Sequence, residues 1–327
     1  MILAGDIGGT HTRLAFFDVS NGMLRPAVVS VFPSHEYGGL ADIVTRFVTD
    51  SKLRPDSACF GVAGPVLNGR VETPNLPWIV ESRGLADELQ ISKVMLINDL
   101  EANAWGIATL ESKDVVLLNA VKSNPIGNQA VISAGTGLGE AGLYWDGKRY
   151  HVFASEGGHT EFGPRNGVEI ELLRYLTAKF GHVSYERLVS GPGLVNIFNF
   201  LRDTKRGTEP EWLAEEMLKG DPAAVISRAA IESRCPLCEQ ALDVFVSIYG
   251  AEAGNLALKL KATGGVYLGG GIAPKILTKL AGPLFMQSFV AKGRMQPLLE
   301  AIPVRVINNE STALMGAARY AAAAPDS

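Results

Sequence analysis

Apolar positions along the first hundred residues alternate, switch to helical spacing, and alternate again. Met1–Asp6 reads as a strand; Leu14, Phe16 and Val19 mark a second and Val28–Phe32 a third, with Asn21-Gly22 as a hairpin turn between those two. From Gly39 the period changes. Leu40, Ile43, Val44, Phe47 and Val48 predict a helix packed back on that sheet. Ala58–Val66 is an apolar strand, turned by Asn68-Gly69 into Arg70–Glu72. A short helix over Gly84–Gln90, a strand over Val94–Ile97 ending at Asn98-Asp99, and a helix over Leu100–Leu110 follow. Strand and helix in alternation predict an α/β sheet.

Beyond Leu110 the plan begins again. Ala130–Ala134 reads as a strand, Gly135–Gly139 as a glycine turn, and Ala141–Trp145 as a returning strand closed by Asp146-Gly147. This second strand–glycine turn–strand resembles the first, a hint of internal duplication. The middle is mostly helical: Asn166–Phe180, with Ile170, Leu173, Leu176 and Phe180 on one face, then Gly193–Asp203, Pro210–Lys219, Pro222–Ser233 and Leu237–Lys261. The last contains Gly250 and Gly254, each costing about 1 kcal/mol against alanine, so close packing or a break is expected there. Gly265–Leu268 and Val304–Ile307 read as strands, Ser311–Ala322 as a closing helix, and Ala321–Ser327 as a frayed tail.

A chain of 327 residues, 47% hydrophobic and 20% charged, can bury two ordinary cores. A net charge of −4 and a pI near 5.8 give no electrostatic footprint for nucleic acid or an anionic membrane. Cys59, Cys235 and Cys238 are too few for a disulfide framework, and the lone Cys235-Pro-Leu-Cys238 lacks the second pair that a zinc site needs. Packed thiols in a reducing compartment fit that usage. Met1–Asp6 has no basic n-region, and no stretch approaches the roughly 18 apolar residues of a span. The expected location is cytoplasmic.

Five constellations carry chemistry. Gly5-Asp6-Ile7-Gly8-Gly9-Thr10 lets backbone amides converge on an anion, with Thr10 adding a hydroxyl and Asp6 suited to a water-bound magnesium ion; an ordinary hairpin turn would look the same. Ser133–Gly139, with Gly135, Thr136 and Gly137, offers a second amide-rich hairpin. Two such turns a domain apart are harder to explain as turns alone. Gly269-Gly270-Gly271, after a buried strand, lets the backbone lie flat against an aromatic ring such as adenine. Asn98 and Asp99 stand where a strand ends and a helix begins. Asp99 can take a proton from an attacking hydroxyl and Asn98 can hydrogen-bond its neighbour, although Asp is also a favoured helix cap. Glu156 and His159 bracket two glycines, and Glu186 follows; ionised carboxylates accept well from paired sugar hydroxyls, while a structural histidine and a solvated glutamate fit these positions too.

Taken in order, Gly5–Thr10, Asn98-Asp99-Leu100-Glu101-Ala102, Gly135–Gly139, Glu156-Gly157-Gly158-His159, Glu186–Gly193 and Leu268–Ile272 resemble bacterial glucokinases over nearly the whole chain. The resemblance implies the two-domain α/β actin-like ATPase fold, ribonuclease H-like, shared with hexokinases and heat-shock ATPases, with a ligand cleft between the domains. It implies a smaller α/β domain of residues 1–110 completed by 301–327, and a larger α+β domain of 111–300. It implies Asp99 as general base, sugar contacts from Asn98, Glu156, His159 and Glu186, with Asn75 as a further one, and ATP held by the first loop (Gly5, Asp6, Ile7, Gly8, Gly9, Thr10), the Gly135-Thr136-Gly137 turn and Gly269–Gly271. Two departures stand out. His11 occupies a position usually Asn in the family, and Thr160–Glu171 holds no cysteine, which argues against the zinc-dependent ROK branch.

The implied reaction is transfer of the γ-phosphoryl group of Mg-ATP to the 6-hydroxyl of glucose, giving glucose 6-phosphate and ADP. A kinase for mannose or N-acetylglucosamine is the nearest rival, because those sugars differ at carbon 2. A non-catalytic sugar sensor of the same fold would be expected to add a DNA-binding module, and the sequence opens directly on a strand. A filament or chaperone ATPase would not need the Asn98, Glu156, His159 and Glu186 cluster. No G-x-x-x-x-G-K-[ST] match supports a P-loop kinase. The expected partner is the sugar itself, without nucleic acid or membrane; a homodimer is compatible with the resemblance.

Overall fold

The computed structural model describes residues 1–20, 23–73, 76–121 and 125–324. The Asn21-Gly22 turn and Asn75 lie outside them. The chain divides into two compact units, Met1–Asp114 with Val152–Ala154 and Asn309–Ser327, and Val115–His151 with Ser155–Asn308.

In the first unit the strands are β1 (Ile2–Ile7), β2 (His11–Ser20), β3 (Met23–Pro33), β4 (Ser57–Val62), β5 (Arg70–Glu72), β6 (Ile79–Glu81) and β7 (Val94–Asn98); the helices are α1 (Leu40–Ser51), α2 (Ser82–Leu89) and α3 (Asp99–Gly106). Five of these strands form one sheet in the order β3-β2-β1-β4-β7, with an antiparallel β1–β2–β3 meander and β4 and β7 parallel to β1. Alternation sends Leu3, Ile7, Leu14 and Phe16 to the face covered by α1, and Ile2, Ala4, Ala15 and Phe17 to the opposite face. Beyond Val62 the predicted apolar strand does not continue; Asn68 (φ 52°) and Gly69 (φ 74°) make the turn into β5.

A second sheet is built from β8 (Val115–Leu117), β9 (Gln129–Ala134), β10 (Leu138–Trp145), β11 (Tyr150–Ser155), β12 (Gly265–Gly269) and β13 (Val304–Ile307) in the order β11-β10-β9-β12-β13-β8, and all of it but Val152–Ala154 of β11 belongs to the second unit. Again a hairpin (β9–β10) is antiparallel and the next strands (β12, β13) run parallel to β9. The hint of duplication in the sequence is thus repeated in strand order. The helices of that unit are α4 (Gly167–Phe180), α5 (Gly191–Asp203), α6 (Glu211–Lys219), α7 (Pro222–Ile231), α8 (Pro236–Leu260), α9 (Leu277–Leu280), α10 (Pro283–Val290) and α11 (Gln296–Glu300). Gly250 and Gly254 do not break α8. An added Cβ would meet the carbonyl oxygens of Phe285 and Phe289 at 2.3 and 2.4 Å, so they let α10 pack against it. On α4 the buried residues are Glu169, Leu172 and Leu176, with Leu173 and Phe180 partly buried against the core; Ile170, expected on that face, is exposed, and the buried Glu169 carboxylate is paired with Arg165. Cys235 and Cys238 are buried thiols at the head of α8, and burial pushes the Cys238 thiol far above its ordinary value.

The chain then returns to the first unit as α12 (Thr312–Ala323). Residues 301–308, expected with the smaller domain, sit in the second unit because β13 pairs with β12 and β8. Ala321, expected in a frayed tail, is a buried residue of α12. This helix packs closely on α3: an added Cβ on Gly316 would lie 1.8 Å from the Ala102 carbonyl oxygen, and one on Gly106 2.1 Å from that of Thr312.

Candidate active site

The residues singled out in the sequence fall into two sets, one on each unit. In the first unit they gather at the carboxyl ends of parallel strands, where Ile7, Val62 and Asn98 are level across β1, β4 and β7, the edge where open α/β sheets place ligands. Gly5 and Ile7 are core: a Cβ on Gly5 would come 2.5 Å from Phe60 Cδ1, and the Ile7 side chain is buried. The turn itself is Gly8-Gly9-Thr10, closed by the Gly8 amide donating to the His11 carbonyl at 3.0 Å. It is braced from behind by Ser34, whose hydroxyl donates to the Gly8 carbonyl at 2.7 Å and is bonded to the buried Thr12 hydroxyl at 3.0 Å. Thr10 and His11 are exposed.

Asp6 points to the α3 and α12 face. Burial, only partly offset by Arg13, raises its carboxyl to about 6. The Arg13 guanidinium lies 3.7 Å away and is shared with Glu310 at 2.7 Å. A half-buried carboxylate whose cation is claimed by a second carboxylate suits a magnesium ion held through water.

Asn98 is the N-cap of α3, its Oδ1 accepting from the Leu100 amide at 2.9 Å and its Nδ2 donating to the Gly64 carbonyl at 3.0 Å. Asp99 is the first residue inside the helix, its Oδ1 also accepting from Leu100 at 2.9 Å. The capping role that the sequence left open for Asp99 therefore belongs to its neighbour. A carboxylate in a first helical turn sits at the positive end of the helix dipole.

In the second unit Gly135-Thr136-Gly137 joins β9 to β10, which starts inside the glycine run, at Leu138. Its neighbours make the turn rigid. The Gly191 amide donates to the Gly135 carbonyl at 2.8 Å, and the Leu138 amide donates to Glu186 Oε2 at 3.0 Å. A Cβ on Gly137 would lie 2.5 Å from that same oxygen. Glu186 is thus not a solvated side chain but one held against the glycine turn. Ser190 completes the joint: its hydroxyl donates to the Glu186 carbonyl at 2.7 Å and accepts from the Gly193 amide at 3.0 Å.

The Gly157–His159 segment forms a single 3-10 turn pressed onto β10: a Cβ on Gly158 would lie 2.0 Å from the Leu138 carbonyl oxygen. That turn brings His159 Nε2 to 3.9 Å from Glu156 Oε2 and 4.0 Å from Glu186 Oε2. Glu156, His159 and Glu186 therefore converge, with the first two open to solvent. Gly269 is buried against β9, leaving room for Ser133, whereas Gly270 (φ 80°), which lies against the Ala134 carbonyl, and Gly271 are both exposed. Nothing stands within 4 Å of a Cβ added to Gly135 or Gly271. The space over both backbones is open, which fits a nucleotide laid directly against the chain.

Residues that the sequence did not mark are those that hold the others: Ser34 and Thr12 behind the first turn, Arg13 and Glu310 around Asp6, Ser190 behind Glu186. Of these only Ser190 carried a local signal, a serine three residues before Gly193 at a helix start with Pro192 in its first turn. Among the described residues no helix is long and apolar enough to cross a membrane.

Comparison with known proteins identifies the family. Residues 3–324 match the sequence model of the glucokinase family. The glucokinase of Nostoc sp. is 44% identical over 98% of this chain and 99% of its own length. That of Synechocystis sp. is 43% identical over 98% and 97%. The crystal structure of a glucokinase from an Antarctic psychrotroph superposes with a TM-score of 0.84 at 31% identity, covering 99% of both chains. On sequence and on fold alike, the chain belongs to the glucokinase family.

Proposed function

We propose that this protein transfers the γ-phosphoryl group of ATP to the 6-hydroxyl of glucose, with Asp99 as general base. Asp99 accepts the hydroxyl proton as O6 bonds to the γ-phosphorus, and the bond to the β,γ-bridging oxygen breaks to release ADP. Asn98, fixed by Gly64 and Leu100, offers its remaining capacity to the neighbouring sugar hydroxyl. Glu156, His159 and Glu186 accept from and donate to the ring hydroxyls. Asn75 remains a further candidate for that role. The observation that carries this reading is the convergence of Glu156, His159 and Glu186, which a plain ATPase of this fold would not need.

The backbones of Gly8–Thr10, Gly135–Gly137 and Gly270-Gly271 hold the nucleotide, while Gly5, Ile7 and Gly269 shape the strands behind those turns. Asp6 would hold magnesium, which neutralises charge on the transferring phosphoryl group when bound. Phosphoryl transfer asks the protein mainly for positioning and charge neutralisation. We place the enzyme in the cytoplasm as a glycolytic entry step; a homodimer is the assembly to look for first.

The test is ADP release from ATP across a panel of hexoses. Glucose is expected to give the highest kcat/KM, well above mannose and N-acetylglucosamine, and sugar-free ATP hydrolysis to be far slower. ADP release that is indifferent to hexose would overturn the assignment.

A further inference from the structure

Beneath the sugar-holding turn lies a buried pair of carboxyls. Glu140, on β10, is 1% exposed, and its Oε2 is so close to Gly157 that an added Cβ there would come within 1.9 Å. Among the described residues no protein group hydrogen-bonds its Oε1. Facing it from α8 is Glu252, fully buried and within hydrogen-bonding reach. Two carboxylates in contact inside a protein cannot both stay ionised, and one proton turns the repulsion into a hydrogen bond. Asn255 Nδ2 bridges the pair outward, donating to Glu252 Oε2 at 2.8 Å and to the Tyr185 hydroxyl at 3.0 Å. Tyr185 directly precedes Glu186 in one 3-10 turn, Tyr185–Arg187.

We propose that Glu140 and Glu252 are positioning residues for sugar binding: a proton shared between them holds the 157–159 and 185–187 turns in place, and its loss weakens glucose binding before it harms the chemistry. The inference rests on the reading that Glu156, His159 and Glu186 hold the sugar.

Burial first, then Glu252, pushes the Glu140 carboxyl up to about 8, with Lys259 pulling the other way. Other charged and titratable groups surround the pair, among them Lys292, which donates to the Oδ1 of the bridging Asn255 at 2.5 Å. Lys259 reaches Glu252 Oε1 at 3.4 Å. Lys292 donates to the Ala251 carbonyl, and burial, aided by Arg165, lowers it to about 8. Arg165 is itself bound by Glu169. Tyr185 is raised to about 12 by burial and by Glu252, and Tyr249, fully buried, lies higher still. When the shared proton leaves, a second buried negative charge appears against Gly157, and the turn carrying Glu156 and His159 is what can move away from it.

The experiment is the pH dependence of glucose KM and kcat from pH 6.5 to 9.5 in wild type, Glu140→Gln and Glu252→Gln, with Glu156→Gln as control. Wild-type KM should rise above the shared-proton transition, by at most about tenfold per pH unit, the limit set by one-proton linkage, while kcat changes little. In Glu140→Gln, or in Glu252→Gln should the first fail to fold, KM should stay flat across that range. An alkaline rise that survives in the glutamine variants, as titration of Lys292 would give, overturns the proposal; so does a wild-type KM with no rise. Should Glu156→Gln leave KM unchanged at pH 7, the sugar-site reading fails instead, and the two failures are told apart.

Discussion

In the first unit the glycine turn of the β1–β2 hairpin is braced from behind by Ser34 and Thr12, and Asp99, the proposed general base, stands apart from it, on the first turn of α3. In the second unit the matching turn of β9–β10 itself grips Glu186, a proposed sugar-holding carboxylate, through the Leu138 amide and the space over Gly137. One plan of strands has therefore been fitted out in two ways. Where turn and carboxylate are separate, a change in the turn should touch only the nucleotide. Where they are joined, the same change should be felt by the sugar.

The sharpest break between the units is expected from Asp99→Asn, which removes the base without removing a hydrogen-bonding group. Turnover should fall by about 10²- to 10⁴-fold, with the KM for ATP nearly unchanged, in steady-state ADP-release assays. Glu156→Gln should do the opposite. It weakens hydrogen bonds to an ionised acceptor, each worth about 1.5–3 kcal/mol, so the KM for glucose should rise about 10- to 100-fold with turnover at saturation largely kept. Gly316→Ala probes the support of α3 rather than its chemistry. Its Cβ would sit 1.8 Å from a backbone oxygen that has little room to yield, and overpacking of this kind costs about 1–3 kcal/mol, to be read as a fall in the denaturant midpoint.

The comparison is drawn most directly by Gly137→Ala against Gly8→Ala. The first should displace Glu186 and raise the KM for glucose by several-fold, because the obstructing atom is the end of a side chain that can swing aside. The second meets the His11 carbonyl at 3.0 Å and should alter the KM for ATP alone. The smallest effect expected is one of pH. The Asp6 carboxyl is raised to about 6 from its ordinary 3.8, so its contribution to stability is fully present below pH 3.8 and is lost as pH rises through 6. Asp6→Asn should flatten that part of the stability curve, measured as melting temperature between pH 4 and 6.

Much of this was legible in the sequence because the signals are local. The switch from alternating to helical spacing at Gly39 located α1, and the repeated strand–glycine–strand pattern anticipated two sheets of one plan. Asn98-Asp99 and Glu156–His159 were readable because each motif folds as one turn. Which of the pair Asn98-Asp99 caps α3 was not readable, since either side chain can reach the same amide. Partners far apart in the chain were also hidden. Glu186 meets Leu138 across 48 positions, and Arg13 meets Glu310 across 297. Glu140 and Glu252 gave no warning, because a single glutamate after a glycine run, or inside an apolar helix, reads equally well as a solvated one. Residues 301–308 were misplaced for a similar reason: nothing in a four-residue apolar strand says which sheet it will join.

The division of labour between the units is tested most directly by equilibrium glucose binding to Asp99→Asn, followed by calorimetry or tryptophan fluorescence. Glucose affinity is expected to stay close to that of the wild type in a protein that barely turns over. Affinity lost in proportion to turnover would contradict it, for Asp99 would then be holding the sugar rather than taking its proton.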